Sequence, residues 1–129
     1  MKKPADTKVA IIEDQEEIAE MYRFKFESEG YQVEVAENGA VGFKMVKEFN
    51  PDIVLMDLMM PVQDGPETLD QFKSAGVKVP VVILTNLGKE EAMKRIRTPD
   101  LIVDFLIKAD CTPKQVVEKI QVILEKVSA

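Results

Sequence analysis

Three runs that are apolar at every position constrain this chain most: Val9-Ala10-Ile11-Ile12, Ile53-Val54-Leu55-Met56 and Val81-Val82-Ile83-Leu84. A strand with one wet face alternates apolar and polar residues. A run without alternation is covered on both faces, which is the condition of a central strand in a parallel sheet. The stretches between the runs are amphipathic. Residues 15–29 place Ile18, Met21, Tyr22 and Phe26 at helical spacing, with Gly30 as the stop. Residues 40–49, 66–75 and 89–97 also read as helices, the first weakened by Gly42, which costs about 1 kcal/mol relative to Ala. Thr112 caps a fifth helix, with Pro113 in its first turn and Val116, Val117, Ile120, Ile123, Leu124 and Val127 as its buried stripe. Asn38-Gly39 and Asp64-Gly65 read as turns.

Two further strands, residues 31–36 and 102–107, are less apolar. The first alternates Tyr31, Val33 and Val35 with Gln32 and Glu34, and the second carries Asp104. Both suit sheet edges, whereas 8–12, 53–57 and 79–85 suit the centre. Five strands alternating with five helices imply an α/β fold: a doubly wound five-stranded parallel sheet, order 2-1-3-4-5, between two helical layers. The length of 129 residues fits a single domain over 1–129, with a core from about 7 to 127.

Net charge excludes some partners. Against 23 acidic residues the chain has 17 basic ones, net −6, with no basic stripe for nucleic acid. No apolar stretch approaches the roughly 20 residues that span a bilayer. Residues 1–8 are polar and lack the apolar segment of a secretory signal. Cys111 is the sole cysteine, so no internal disulfide forms, and a reducing, cytoplasmic setting is expected. Histidine is absent, which removes histidine-based catalysis and His metal ligands from this chain.

The ends of the apolar runs carry the chemistry. Glu13-Asp14 follows the first run and Asp57 the second. Ligands in such sheets bind beyond the carboxyl ends of the strands where the strand order reverses, here between strands one and three. Three carboxylates gathered there raise one another's pKa values, and a divalent cation removes the conflict. Oxygen-only ligation favours Mg²⁺ over zinc. Thr85 ends strand four and Lys108 follows strand five. A hydroxyl and an ammonium beside a carboxylate–metal centre suit a phosphoryl group. Alone, Thr85 is a strand-end turn residue and Lys108 a solvated charge; their joint position makes the case.

Taken in order, Ile11-Ile12-Glu13-Asp14, Asn38-Gly39, Asp52 to Asp57, Met60-Pro61 with Asp64-Gly65, Val81 to Thr85 and Asp104 to Lys108 resemble the receiver domain of bacterial-type response regulators over nearly the whole chain. The resemblance implies a flavodoxin/CheY-like three-layer sandwich and two-component signalling. It implies Asp57 as the phosphoacceptor, taking phosphoryl from a sensor histidine kinase or a histidine phosphotransfer protein. Glu13, Asp14, Asp57 and the backbone carbonyl of Met59 would hold Mg²⁺. Lys108 would pair with the phosphoryl oxygens and Thr85 would hydrogen-bond one of them. Thr85 and Phe105 would form the switch that remodels the helix four–strand five–helix five surface for a downstream protein target, a face through which receivers also form weak homodimers. The bland reading of Phe105 is plain packing against helix four or five.

Departures from the family pattern are Ala109, where proline is usual after the lysine, and Asn86, where a smaller side chain follows the threonine. The first implies a different loop before helix five. Met59 and Leu87 flank the nucleophile, are apolar and cannot orient an attacking water, which implies slow loss of phosphoryl. Cys111 reads as a spectator, the seven methionines mostly as core filler, and Lys94, Arg95 and Arg97 as a solvated basic face. The leading function is a stand-alone, phosphorylation-switched signalling module, not classed as an enzyme because it turns over no free substrate. The alternative is a phosphorylation-independent pseudo-receiver scaffold. An aspartyl-type phosphohydrolase ranks last, since Met59 stands where such enzymes place a general acid.

Overall fold

The computed structural model describes residues 3–127, so Met1, Lys2, Ser128 and Ala129, and with them the outer limits of the expected domain, lie outside the described residues. β1 (Lys8–Ile12), β2 (Gln32–Ala36), β3 (Ile53–Met56), β4 (Val81–Thr85) and β5 (Ile102–Ile107) form one parallel sheet in the order β2-β1-β3-β4-β5. α1 (Glu16–Ser28), α2 (Gly39–Phe49), α3 (Gly65–Ser74), α4 (Lys89–Arg95) and α5 (Pro113–Val127) connect and follow the strands. Two single-turn 3-10 helices, Pro4–Asp6 and Lys108–Asp110, are additions that the hydrophobic pattern does not signal.

Alternate residues of each central strand feed opposite layers, as the pleat requires. Val9, Ile11, Ile53, Leu55, Val82 and Leu84 pack with Tyr22 and Phe26 of α1 and Val116, Ile120 and Leu124 of α5. Ala10, Ile12, Val54, Met56, Val81 and Ile83 pack with Met45 and Val46 of α2, Leu69 and Phe72 of α3 and Ala92 of α4. Each large side chain buried in this way contributes roughly 1.5–3 kcal/mol. At the edges, β2 keeps Gln32 and Glu34 in solvent, while β5 fully buries Leu106 alone and exposes Asp104. A bulge at Val103 shifts the β4–β5 register between Val81 and Val82.

Local signals account for most boundaries. Asp64 caps α3 in a reciprocal capping box with Glu67, and Thr112 and Gln115 bond each other's amides at the start of α5. Asn38 likewise caps α2 by accepting from the Val41 amide, so Asn38-Gly39 and Asp64-Gly65 are helix starts rather than free turns. Three expectations are corrected. Met21 is exposed, because it lies off the α1 face that buries Tyr22 and Phe26. Val127 is exposed, as are Glu125 and Lys126 before it, so the stripe of α5 ends at Leu124. The basic face of Lys94, Arg95 and Arg97 is not merely solvated: α4 ends at Arg95, and beyond it the Arg97 guanidinium holds Asp70 of α3 at 2.6 and 2.9 Å.

Gly42 has a packing reason that helix propensity misses. A Cβ there would stand 2.6 Å from Ile12 Cδ1, so only glycine lets α2 lie this close to β1. That approach sets the layer spacing directly behind the carboxyl end of β1, where Glu13 emerges.

Candidate functional site

β1 and β3 are neighbours whose helices leave to opposite faces, so the chain opens a crevice beyond their carboxyl ends. Glu13 and Asp57 are the first residues past these strands. Both backbones remain tied to the sheet: the Glu13 amide donates to the Ala36 carbonyl at 2.9 Å and the Asp57 amide to the Ile12 carbonyl at 3.1 Å. Their side chains are therefore launched from rigid elements into one pocket. Carboxylate oxygens of Glu13, Asp14 and Asp57 lie within 4.8 Å of one another. Glu13 and Asp57 are buried and Asp14 is exposed at the mouth.

Lys108 enters from the end of β5. Its Nζ donates to Asp57 Oδ2 at 2.7 Å and to Glu13 Oε1 at 2.5 Å. The other oxygen of Asp57 accepts from the Leu58 amide at 2.7 Å and the Met59 amide at 3.3 Å. Glu13 Oε2 accepts from the Gln15 amide at 3.1 Å. Every oxygen of the two buried carboxylates thus has a donor, and both side chains are fixed in orientation. Burial pushes the Glu13 carboxyl above its ordinary value, against the opposing pull of the Lys108 hydrogen bond and the Gln15 amide. Burial alone would lower Lys108, yet its hydrogen bonds to Asp57 and Glu13 outweigh this and leave it raised. At neutral pH the lysine is charged and serves as the internal counter-ion of the pocket.

The structure brings Glu13, Asp14, Asp57 and Lys108 together. Met59 sits two residues beyond Asp57 with its amide at the carboxylate and its side chain half in solvent. Thr85 is buried at the end of β4, where its hydroxyl accepts from the Leu87 amide at 3.4 Å; among the described residues no hydrogen bond joins it to Asp57 or Lys108. Phe105 is half-buried against the layer that contains Ala92 and Ile96, the side of α4. Asn86 is exposed and Leu87 half-buried beside the same layer. Ala109 lies inside the single 3-10 turn that leads from Lys108 toward α5. Cys111 is half-buried against the α1–α5 core.

An all-oxygen set of three converging carboxylates fits a hard divalent cation such as Mg²⁺ and does not suit a soft one. A buried ammonium at hydrogen-bond distance from one of them adds a second handle for anionic oxygens. Sequence reasoning overlooked Gln63, Thr68 and Gln71, which hold the loop between Asp57 and α3. Gln63, between the Met-Pro and Asp-Gly pairs, and Thr68 and Gln71 on the helix that follows are neutral polar residues, with no periodicity or charge signal that would single them out.

Comparison with known proteins bears on the whole arrangement. The family model described as response regulator receiver domain matches residues 9–121. The chemotaxis protein CheY of Halobacterium salinarum is 34% identical over 87 residues, covering 67% of this chain and 72% of that protein. The transcriptional regulatory protein ResD of Bacillus subtilis is 30% identical over 128 residues, covering 99% of this chain but 52% of the relative. The alkaline phosphatase synthesis regulator PhoP of the same organism is covered over 49% of its length, so the chain spans about half of each of these two regulators. Among solved structures, the receiver domain of Francisella response regulator 1452 superposes with a TM-score of 0.82 at 24% identity, over 95% of this chain and 99% of that one. A CheY-like receiver from Methanospirillum hungatei gives 0.79 at 20% identity, over 93% and 94%. These two likenesses establish the fold.

Proposed function

The chain belongs to the response regulator receiver family, and from that premise we propose that it is a signalling switch in which Asp57 accepts phosphoryl from a phosphohistidine. The donor is a sensor histidine kinase or a histidine phosphotransfer protein. Glu13, Asp14, Asp57 and the Met59 carbonyl would hold Mg²⁺. When bound, that ion would offset the clustered negative charge and withdraw charge from the phosphoryl oxygens. The observation that carries the reading is the joint bonding of Lys108 to Asp57 and Glu13, with Asp14 beside them at the mouth.

The chain's own residues then have defined tasks. Asp57 supplies the oxygen that forms the new P–O bond as the P–N bond of the donor breaks; the imidazole nitrogen leaves with the bonding pair and takes up a proton. Backbone amides of Leu58 and Met59 fix the carboxylate for that approach. Lys108 moves from the carboxylate to a phosphoryl oxygen and Thr85 turns toward another. The vacated space beside β4 lets Phe105 swing inward, which alters the α4–β5–α5 surface offered to a downstream protein or to a second copy. Asp57 keeps the phosphoryl group until water removes it, so the chain turns over no free substrate and acts as a switch rather than as an enzyme.

The net charge of −6 favours protein over nucleic-acid partners. The stand-alone reading follows the likeness to CheY, whereas ResD and PhoP are about twice as long as the matched region; the mass of the native polypeptide decides between them. Among the described residues no helix is long and apolar enough to cross a membrane. The cytoplasmic setting rests on the lone, unpaired Cys111.

The test is incubation with Mg²⁺ and a small phosphoryl donor, followed by intact-protein mass. The wild type gains one phosphoryl group and Asp57→Asn gains none. Beryllium fluoride perturbs the spectrum of the wild type alone. Absence of both responses in the wild type would assign the chain to the phosphorylation-independent scaffolds, and continuous phosphate release would make it a hydrolase.

A further inference from the structure

The loop from Leu58 to Asp64 leaves the phosphoacceptor and carries Met59, the expected carbonyl ligand. Its path is unusual. Val62 adopts a φ of 68°, in the left-handed region, and is 82% exposed. The Gln63 amide donates back to the Pro61 carbonyl at 2.7 Å, which closes a three-residue turn around Val62. A β-branched residue has no intrinsic reason to sit there, and an exposed valine gains little from packing. Such strain persists only where the surroundings over-determine the conformation.

Several of the bonds that hold the turn converge on Gln63. Its backbone carbonyl accepts from the Gly39 amide, the first residue of α2, at 2.9 Å. Its side-chain Nε2 donates to Gln71 Oε1 at 2.7 Å and to Thr68 Oγ1 at 3.2 Å, both on α3. Thr68 is fully buried and donates in turn to the Asp64 carbonyl at 2.7 Å. The approach of α2 leaves no slack: a Cβ on Gly39 would fall 1.8 Å from Thr68 Oγ1 and 2.7 Å from the Gln63 carbonyl. The near end of the loop is equally fixed, since the Gly65 amide bonds the Leu58 carbonyl at 2.9 Å. The segment that presents Met59 is pinned at both ends, and the far pin is Gln63, a neutral residue whose side chain bonds Thr68 and Gln71 rather than a carboxylate of the pocket.

We propose that Gln63 is a positioning residue for the cation site: by bonding α2 and α3 at once it holds the strained Val62 turn, and through it the Met59 backbone, in the conformation that binds Mg²⁺. The inference rests on the proposed metal site and assigns to it a determinant outside the ligand set. Affinity for Mg²⁺ therefore depends on the Gln63–Gln71 hydrogen bond.

The experiment is calorimetric titration of Mg²⁺ into wild type, Gln63→Leu, Gln71→Leu, Gln71→Glu and Asp14→Asn, each checked for folding by circular dichroism. Gln63→Leu and Gln71→Leu remove the bond and weaken Mg²⁺ about three- to ten-fold, the range a single hydrogen bond commands. Gln71→Glu keeps an acceptor for Nε2 and retains affinity within about two-fold by the same scale. A merely structural role would lower the melting temperature of both Leu variants and leave their Mg²⁺ affinity unchanged. That result, with Asp14→Asn still abolishing binding, overturns the inference and leaves the metal site standing. Wild-type affinity in Asp14→Asn, or no binding by the wild type, overturns the metal site and the inference together.

Discussion

Replacing Lys108 by Met is the sharpest test of the electrostatics in the pocket. Methionine keeps most of the apolar stem and removes the ammonium. The side chains of Lys108, Glu13 and Asp57 are 9%, 5% and 9% exposed, so water cannot replace what is lost without opening the site. Charge-assisted bonds contribute roughly 1.5–3 kcal/mol each, and stranding the partner of a buried ion pair costs about 3–5 kcal/mol. We expect the loss at neutral pH, in chelator, to fall in that upper range, about 3–5 kcal/mol, or a drop in melting temperature of roughly 12–20 °C for a domain of this size.

The pH dependence fixes the cause. Glu13 has a folded value raised by burial above its ordinary 4.5. Its protonated form is favoured in the fold, so acidification through the raised value adds stability, and the gain is complete below the ordinary value. Without Lys108 the carboxyl loses the bond and the charge that restrain it and rises further, so the variant gains more on acidification and the gap to wild type narrows. Lys108 runs the other way at high pH. Its support is present in full below its ordinary 10.5 and is lost as pH climbs through the raised folded value. Millimolar Mg²⁺ should also narrow the gap by offsetting the same carboxylates. Urea unfolding followed by circular dichroism, at mildly acidic, neutral and strongly alkaline pH and with or without Mg²⁺, measures all three effects. A loss under about 1 kcal/mol, the level of an exposed pair, or a gap indifferent to acid, would refute the buried counter-ion.

Two further outcomes follow from the packing around the site. Gly39→Ala drives a methyl into Thr68 Oγ1 and the Gln63 carbonyl and should destabilise by about 1–3 kcal/mol or more in urea unfolding, because backbone must move; an unshifted midpoint would contradict the close approach of α2. Met59→Asn and Leu87→Glu put polar groups at the two positions that the receiver resemblance sets beside the proposed phosphoacceptor Asp57, and should shorten the lifetime of its phosphoryl group; unchanged or slower decay in both removes the idea that apolar flanks protect it.

Sequence reasoning reached the sheet because central parallel strands write their burial into every residue. Val9–Ile12, Ile53–Met56 and Val81–Leu84 could not be mistaken for half-wet strands, and all of them are buried. The alternation in β2 and Asp104 in β5 placed the edges for the same reason. Helical faces are read less sharply. Ile18, Tyr22 and Phe26 are spaced by four and share one side of α1, but Met21 lies roughly 100° from the middle of that stripe and faces solvent. Val127 has the right angular position on α5, yet nothing covers the last described turn. Periodicity reports direction and is silent about where the neighbouring layer ends.

The pocket and its supports differ in the same way. Glu13, Asp57 and Lys108 were legible because two local facts met a topological rule: an apolar run stops at a charge, and strands of this order deliver their ends to one crevice. A charge in such a place carries a cost, so its presence demands a reason. Gly42, Gly39 and Gln63 carry no such cost in isolation. Helix propensity counts Gly42 as a weakness, and only the 2.6 Å to Ile12 reveals that any side chain would push α2 off β1. Gln63 breaks no local rule. Its importance arises from bonds to Gly39, Thr68 and Gln71, which belong to two different helices and come together only after the sheet has formed. The charged residues to which the chemistry is assigned here are thus exposed by their unfavourable electrostatics, whereas those proposed to hold them in register are neutral, locally unremarked, and visible only through the distances between elements.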